Sequence, residues 1–501
     1  MARTGGVEQY VLLPTRGLRA EQSSTAPEAR EFLLGAGAAG GAGREAARPL
    51  HGGRGTMRVL DSIGPDGAKL VELAPEAALS IRARYPGLRL VPVVHYTPAH
   101  ARRALVEEDQ PPPPEAPEAQ TVMVQVVSQR GRAPVAGAYV VGYVDLAAGL
   151  GVQGVTDADG WVELTLDAAT QRFERVYVYP VSAYWTLRKT NVRVAPEIQL
   201  RVQPIDLAYK DALRTFYPSA SSSAGAGVTV GVVDTGVGPH PDLVVAGGAN
   251  TTMHEDPGSF EDNGLGHGTH LAGIIAARGR PPRGIRGVAP GVTLRSYRVY
   301  PEGMGSAANF DVAKGIDQAA ADGCDLVMLG MNGGAPDEVL RAAVESARDQ
   351  GAVCIMGAGN GFRGAVTFPA SNEMVMAVTA LGRKGTFPPS AAAADDVAPP
   401  LGKDRNDFIA AFSNVGPPVD LIGPGVAIMS TYPGGYAEIS GTSMAGAAVT
   451  GAAVRVLAKS PVLDMPRDGA RSDAAVKAIL ASARTLGFQP SFEGHGLPRA
   501  R

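Results

Sequence analysis

Residues 228–243, VTVGVVDTGVGPHPDL, set the pattern for the second half of the chain. A short apolar run leads directly into the carboxylate of Asp234 and then into a glycine-containing turn. Comparable apolar runs follow, separated by stretches of helical period, at residues 293–300, 324–331, 352–360 and 374–382. Such runs are typical of parallel strands that are buried on both faces. The alternation predicts an α/β domain with a doubly wound, mostly parallel sheet and an active site at the carboxyl ends of its strands.

Two polar residues follow apolar runs closely and are therefore candidates for a site at that sheet edge. Asp234 ends the first run, where a carboxylate either serves a site or caps a turn. Asn360 lies in the glycine-rich stretch GAGNG at 357–361, where it offers an uncharged donor or forms a simple Asn-Gly turn. Taken singly, either residue is better explained by local structure than by function.

Two of the eight histidines lie three residues apart in GHGTHLAG, at His267 and His270. Histidines at this spacing share a helix face, but the glutamate and the four-residue spacing of a zinc protease motif are missing. His267 is the better candidate for a general base, because it begins the helix and has a glycine on each side. His270 is interpreted as a structural residue.

Ser443 lies in the first turn of an alanine-rich helix within GTSMAGAAVTGAAV. The amides and the dipole at a helix N-terminus favour developing negative charge, so a serine there can attack a carbonyl while its own N–H stabilises the oxyanion. The pattern differs from GxSxG, since Gly446 follows Ser443 by three residues rather than two. A helix cap is the alternative explanation.

In the chain order Asp234, His267, Ser443, these stretches resemble the three signatures of the subtilisin-like serine proteases, the subtilase family. The resemblance covers residues 228–457 and is carried by GVVDTGV, HGTHLAG and GTSMAG, with weaker support from GAGN and FSNVG…DLIGPG.

The resemblance implies a subtilisin-like fold and a serine endopeptidase that forms an acyl-enzyme. Ser443 would be the nucleophile, His267 the proton carrier and Asp234 the group that orients His267. Asn360 and the Ser443 N–H would form the oxyanion hole. The alternative function is a catalytically weak subtilase scaffold that binds peptides or partner proteins.

The resemblance further implies that a peptide or protein substrate binds in an extended form beside two edge segments. The expected substrate-binding residues are Gly303, Gly305, Ser306, Gly330, Met331, Asn332 and Gly333. The sequence departs from the family at Gly446-Ala447-Ala448, where Pro-His is usual, and in the strand around Gly330. No cofactor or catalytic metal is expected; structural calcium is possible, but the sequence offers no clear ligand set.

The N-terminal half has a different character, and the composition suggests its boundaries. We expect a disordered segment (1–56), a small α+β propeptide-like unit (57–106), a Pro-rich linker (107–120), an all-β sandwich (121–204) and a further linker (205–227), all before a peptidase domain at 228–498. Residues 383–407 are expected to form a surface loop insertion. The sandwich resembles transthyretin-like or carboxypeptidase-regulatory-like modules, which implies an accessory role. We expect the N-terminal half to be retained as a regulatory unit.

Composition limits the partners and the compartment. The formal net charge is 46 − 49 = −3, which favours neither nucleic acid nor an anionic membrane as a partner. The two cysteines, Cys324 and Cys354, lie beside apolar runs and are expected to be buried. The N-terminus lacks the pattern of a secretory signal, which predicts a cytoplasmic enzyme; secretion by a route not evident in the sequence is the alternative.

Overall fold

The structure is a computed structural model, and it describes residues 7–20, 27–36, 48–49, 56–105, 119–218 and 220–500. The predicted Pro-rich linker falls almost entirely outside these residues. Among the described residues, no helix is both long enough and apolar enough to cross a bilayer.

An antiparallel sheet with two helices forms the N-terminal unit. Its strands, in the spatial order β2-β3-β4-β1-β5, and its helices are β1 (Glu8–Pro14), α1 (Pro27–Gly35), β2 (Arg48–Pro49), β3 (Thr56–Ser62), β4 (Lys69–Leu73), α2 (Pro75–Arg84) and β5 (Leu88–Pro92). Residues 1–56 were expected to be disordered, but they contain β1, which pairs with both β4 and β5. Its apolar run supplies Val11, Leu12 and Leu13, which are fully buried.

Seven strands within residues 119–202 form two sheets that pack against each other, and we call this region the strand-rich module. One sheet has the order β10-β7-β13 and the other β12-β11-β8-β9, with β7 (Ala119–Ser128), β8 (Tyr139–Asp145), β9 (Leu150–Val155), β10 (Trp161–Asp167), β11 (Arg172–Tyr179), β12 (Leu187–Arg193) and β13 (Glu197–Val202). One hydrophobic cluster contains side chains from both sheets, including Val124, Leu164, Phe173 and Val178. The alternation of apolar and polar residues along these strands places the apolar set in that cluster.

The stretch at 205–227, which was expected to be a linker, contains a helix that packs into the following domain. Helix α3 (Ala212–Phe216) lies within it, capped by Asp211, whose carboxylate accepts from the Arg214 amide at 2.9 Å and from the Met429 amide at 3.0 Å. Ala212 and Leu213 are buried in the core of the following domain. The stretch is therefore a packed connection.

An eight-stranded sheet forms the centre of the C-terminal domain. Its order is β15-β16-β14-β18-β19-β20-β21 with β22 also beside β20, and its members are β14 (Thr229–Asp234), β15 (Val245–Asn250), β16 (Thr293–Arg298), β18 (Leu326–Leu329), β19 (Val353–Gly357), β20 (Val375–Arg383), β21 (Asp407–Ile409) and β22 (Val419–Pro424). All pairs are parallel except β20 with β21. The predicted doubly wound, mostly parallel sheet is confirmed.

Helices cover both faces of this sheet. One hydrophobic cluster contains side chains of α4 (His267–Ala276), α7 (Thr442–Leu457) and α8 (Gly469–Ala481). A second cluster, on the other side, contains those of α5 (Asn309–Ala321) and α6 (Glu338–Asp349). The remaining short elements are β6 (His95–Tyr96), β17 (Ala307–Ala308), β23 (Ile428–Tyr432), β24 (Gly435–Ile439), β25 (Ala483–Arg484), α9 (Pro490–Glu493) and β26 (Leu497–Pro498).

Residues 383–407 differ from the surface loop that the sequence predicted. A 3₁₀ turn, Ala392–Asp396, packs against the strand-rich module, and Ala391 and Ala393 are buried. Asp395 forms ion pairs with Arg175 and Arg188 of that module. Its small apolar side chains and the ion-paired Asp395 therefore form a contact surface between the C-terminal domain and the strand-rich module.

Candidate active site

Asp234 and His267 form a buried pair at the carboxyl end of β14. Asp234 is the last residue of that strand, and His267 is the first residue of α4. Nδ1 of His267 lies 2.7 Å from Oδ2 of Asp234, and the two residues are 3% and 0% exposed. Gly266, at φ 76°, provides the left-handed turn from which the helix starts.

The Asp234 carboxylate is held firmly from two sides. The amide of Thr235 donates to Oδ1 at 2.6 Å, and Gly330 lies directly against Oδ2. A Cβ atom at Gly330 would lie 1.7 Å from Oδ2, so no other residue fits there without moving the carboxylate. Gly330, predicted as a substrate-binding residue, thus contacts Asp234.

The surroundings of His267 raise the pKa of its imidazole. Burial alone would lower that pKa, but the charge and the hydrogen bond of Asp234 outweigh burial, and the Ala99 carbonyl adds to them. Because both Asp234 and Ala99 present acceptors, only the doubly protonated ring donates to both. The pair is therefore set to hold a proton on His267.

Ser443 lies in the first turn of α7, where it is 1% exposed. Among the described residues, its Oγ has no hydrogen-bond partner. The Oδ1 atom of Asn360 accepts from the backbone amide of Thr442 at 3.0 Å and from its hydroxyl at 3.1 Å. The other end of Asn360, Nδ2, is buried and has no partner within the described part of the chain. A fixed donor is therefore left available next to the helix that carries Ser443.

An extended stretch, residues 95–105, crosses this site, and we call it the inserted segment. Its first two residues, His95 and Tyr96, pair antiparallel with Ala307–Ala308. The amide of Asn332 donates to the Thr97 carbonyl at 2.7 Å, and its side-chain Nδ2 reaches the Thr97 hydroxyl at 3.1 Å. The segment thus lies between Ala307–Ala308 and the loop at Asn332.

The peptide bond between Ala99 and His100 lies at the catalytic candidates. Nε2 of His267 is 3.3 Å from the Ala99 carbonyl oxygen. A Cβ at Gly441, which begins the helix of Ser443, would lie 3.2 Å from that oxygen and from the Cα of His100. The next amide, of Ala101, donates to the Ser440 carbonyl at 2.7 Å. The inserted segment thus covers the site.

Only some of the other residues predicted to bind substrate line a cavity next to this segment. Gly305 lines the cavity beside the segment, and Gly333 and Asn332 line a smaller one under Tyr96. Met331 is 1% exposed. The amide of Gly303 donates to the Asn263 carbonyl at 2.9 Å, and Ser306 directly precedes Ala307, which pairs with Tyr96 of the segment.

Two groups of residues play no direct part in this arrangement. Burial lowers the pKa of His270 to about 3, and its Nε2 lies 3.1 Å from the Ile428 carbonyl. Cys324 and Cys354 are buried, which raises the pKa of each thiol to about 12. Within the described ranges, no three His, Cys, Asp or Glu side chains cluster as metal ligands.

Several contacts were missed from the sequence. Ala307–Ala308 pairs with the inserted segment one residue beyond the predicted 303–306 stretch, and Thr442 anchors Asn360. The segment itself carried one usable signal, since a residue that precedes proline, here Thr97, is biased towards an extended conformation.

Comparison with known proteins identifies the C-terminal domain. Residues 225–496 match the Subtilase family. Subtilisin Savinase of Lederbergia lenta is 37% identical over 239 residues, which are 47% of this chain and 78% of that protein. Subtilisin DY of Bacillus licheniformis is 35% identical over 284 residues, 56% of this chain and 91% of that protein. An alkaline protease of Alkalihalobacillus alcalophilus is 37% identical over 239 residues, which are 47% of this chain and 56% of that protein.

These relatives overturn the expected cytoplasmic location. They are subtilisins and alkaline proteases, which are secreted extracellular enzymes. The expectation was wrong because it relied on the missing signal pattern at the start of the sequence, which says nothing about the compartment in which the folded domain acts.

The matched region contains the buried Asp234–His267 pair, Ser443 and Asn360, and it covers more than half of the chain. The relatives and the parallel sheet agree with the endopeptidase activity that the sequence motifs predict. The chain belongs to the subtilase family and is a serine endopeptidase.

Proposed function

We propose that Asp234, His267 and Ser443 are the catalytic triad of this endopeptidase and that Asn360 supplies the oxyanion hole. The observation that carries the proposal is the 2.7 Å contact between His267 Nδ1 and Asp234 Oδ2. The Ala99 carbonyl lies 3.3 Å from His267 Nε2 and also packs against Gly441, which begins the helix that carries Ser443. The alternative of a catalytically weak scaffold is not favoured, since the relatives are proteases.

The reaction follows from this arrangement. Ser443 Oγ bonds to the substrate carbonyl carbon while neutral His267 takes the hydroxyl proton. Asn360 Nδ2 and the Ser443 amide donate to the oxyanion, and Asp234 stabilises the imidazolium. His267 then gives the proton to the leaving amine as the C–N bond breaks. Water, deprotonated by His267, hydrolyses the acyl ester and restores Ser443.

Replacing Asn360 by alanine should lower kcat by about 10²–10³-fold, a magnitude that comes from subtilisin, a relative of this chain. The oxyanion forms only in the transition state, so KM should change little. Steady-state hydrolysis of a chromogenic peptide measures both constants. The exposed Asn406 provides the matched control, Asn406→Ala. Equal losses in the two variants would remove Asn360 from the proposed site.

The test of the proposed nucleophile is labelling by a fluorophosphonate, followed by mass spectrometric mapping of the modified peptide. The label should be on Ser443, and it should be lost in His267→Ala, which leaves the serine in place but removes its base. Ser460→Ala, which removes a hydroxyl that caps a 3₁₀ turn, is the control and should label normally. A label on any serine other than Ser443 would contradict the proposed triad.

We also propose that the inserted segment inhibits the enzyme and is its first substrate. It pairs with Ala307–Ala308 on one side, hydrogen-bonds to Asn332 on the other, and brings the Ala99–His100 bond to His267. While Ala99 accepts from His267, the ring is protonated and cannot act as a base. The segment therefore blocks the site until His267 loses that proton.

Self-cleavage between Ala99 and His100 is the expected consequence, and its rate should rise with pH. The raised pKa of His267 means that the ring is charged below that pKa and becomes neutral above it, which frees both the base and the Ala99 carbonyl. N-terminal sequencing of the purified chain after incubation at a series of pH values measures the site and the rate. Ser443→Ala is the control and should remain intact; cleavage just before Val228 instead would contradict the proposal.

The proposed domain division has a propeptide-like unit at 57–106, which ends with the inserted segment, a β-sandwich accessory domain at 121–204 and a peptidase domain at 228–498. The five-stranded sheet supports the first of these. Two packed sheets with a common hydrophobic cluster support the second, which we propose to be a transthyretin-like module. Cleavage at Ala99 would leave that module attached to the peptidase.

A further inference from the structure

The part of the inserted segment that follows the proposed scissile bond runs along the strand-rich module. The Arg103 amide donates to the Tyr179 hydroxyl at 3.1 Å, and the Tyr143 hydroxyl donates to the Ala104 carbonyl at 3.2 Å. The Leu105 amide donates to Oε1 of Gln153 at 2.9 Å. All three contacts use backbone atoms of the segment, so a peptide of another sequence can make them as well.

One side chain of this part, Arg103, enters a specific pocket. Its Nη2 lies 3.2 Å from Oδ1 of Asp396 and 3.2 Å from the Asp395 carbonyl oxygen. Its Cζ lies 5.1 Å from the ring centroid of Phe362 and 5.7 Å from that of Tyr177. An acidic group with two aromatic rings around one side chain is the environment that a guanidinium prefers.

The pocket belongs to the same cleft as the catalytic candidates. A cavity of about 600 Å³ beside the inserted segment is lined by His267 and Gly305 of the peptidase domain. Phe362 and Asp396 line it further along, and Tyr179 of the strand-rich module closes it. The module therefore forms one wall of the cleft on the side of the leaving amine.

The charge of Asp396 depends on a cation in this pocket. Burial raises the pKa of Asp396 to about 7, Arg103 opposes the rise, and Asp395 and Glu438 add to it. Asp395 already has Arg175 and Arg188 as partners, whereas the only ion pair found for Asp396 among the described residues is with Arg103. Removing one partner of a buried pair leaves an uncompensated charge, so an empty pocket is unfavourable.

We propose that Asp396, Phe362 and Tyr177 form a substrate subsite that selects arginine at the fourth residue after the scissile bond. Arg103 holds that position relative to Ala99–His100 and is the chain's own occupant. The inference rests on the proposed function, and it defines the substrate class as peptides or proteins with arginine four residues beyond the cleaved bond.

The test compares three quenched fluorescent peptides as substrates of the full chain cleaved at Ala99–His100. Every enzyme in this comparison carries Arg103→Ala, because His100–Leu105 stays attached after cleavage and Arg103 would otherwise occupy the pocket. The first carries residues 96–105, and the others replace the residue matching Arg103 or Arg102 by alanine. Arg102 is exposed and stacks on Tyr139 at 4.1 Å, so it provides the matched control. The peptide with alanine in the Arg103 position should have a kcat/KM lower by about tenfold or more. The peptide with alanine in the Arg102 position should lose at most about fivefold.

Asp396→Asn keeps the shape of the pocket and removes its charge. In this variant the Arg103 effect should largely disappear, while the Arg102 effect should remain. Equal kcat/KM for arginine and alanine at the fourth position, with Asp396 in place, would overturn the inference but leave the proposed function intact. Failure of all three peptides together with failure of Ser443 to label would instead mean that the proposed function is wrong.

A second readout does not depend on turnover. In the uncleaved Ser443→Ala chain, hydrogen exchange of residues 100–105 reports how firmly the pocket holds Arg103. Arg103→Ala and Asp396→Asn should each increase that exchange, their double variant should add little, and Arg102→Ala should have a smaller effect. Unchanged exchange in Arg103→Ala and Asp396→Asn would overturn the inference.

Discussion

Ser443→Ala is expected to reduce kcat by about 10⁶-fold, the size of the loss that subtilisin shows when its nucleophile is removed. The alanine removes the only atom that forms a bond to the substrate carbonyl carbon. Residual hydrolysis of about 10³–10⁴-fold over water should remain, because Asn360 and the substrate contacts still stabilise the oxyanion. The measurement is hydrolysis of a chromogenic peptide by equal amounts of folded wild type and variant.

A fair comparison requires that both proteins have an open site. Ser443→Ala cannot cut its own inserted segment, so a trace of wild-type enzyme should first cleave the Ala99–His100 bond in trans. The trace alone sets the background rate. Ser460→Ala, treated identically, serves as the matched control and should retain wild-type activity. Activity of cleaved Ser443→Ala well above the background would mean that the nucleophile lies elsewhere.

Asp234→Asn is expected to reduce kcat by about 10⁴-fold. The amide is isosteric, but its NH₂ group cannot accept the Nδ1 proton, so the imidazole is held in a tautomer that cannot accept from Ser443. The imidazolium also loses its counter-charge. Circular dichroism should show an unchanged fold, since the side-chain volume is retained.

The pH profile of the same variant provides an independent check. In the wild type, the charge of Asp234 outweighs burial and raises the pKa of His267, so activity appears only as pH rises through that raised value. Without the charge, burial dominates and lowers the pKa, and the acid limb of kcat/KM should move to lower pH. Asp349→Asn, on the exposed face of α6, should leave the limb in place. An unmoved limb in Asp234→Asn would contradict the role given to Asp234.

The sequence signals that point to the catalytic candidates are local. Asp234 ends a strand, and His267 and Ser443 begin helices, so each motif contains both the residue and the turn that positions it. The parallel sheet was predictable for a similar reason, since short apolar runs alternate with stretches of helical period. Gly330, which lies against Asp234, also belongs to a stretch that the sequence marks.

The inserted segment was not predictable, because its position depends on contacts over long distances in the chain. Tyr96 meets Ala307 and Ala99 meets His267 without any shared motif. The strand at Glu8–Pro14 was missed because its seven residues are flanked by low-complexity sequence. The 3₁₀ turn at 392–396 was missed because a run of alanines reads as a loop until Arg175 and Arg188 are seen beside it.

The inserted segment enters the site from one unit and leaves it into another, and this connectivity changes the order of the inhibition reaction. Before cleavage the inhibitor is present at a fixed effective concentration, so dilution has no effect on it. After cleavage the N-terminal unit is a separate molecule with Ala99 at its carboxyl end, and its occupancy follows mass action. His100–Leu105 stays with the enzyme through its attachment to β7. Full activity should therefore appear only after the cleaved N-terminal unit has dissociated, and this delay should shorten on dilution. Self-cleavage itself should proceed at a rate independent of concentration.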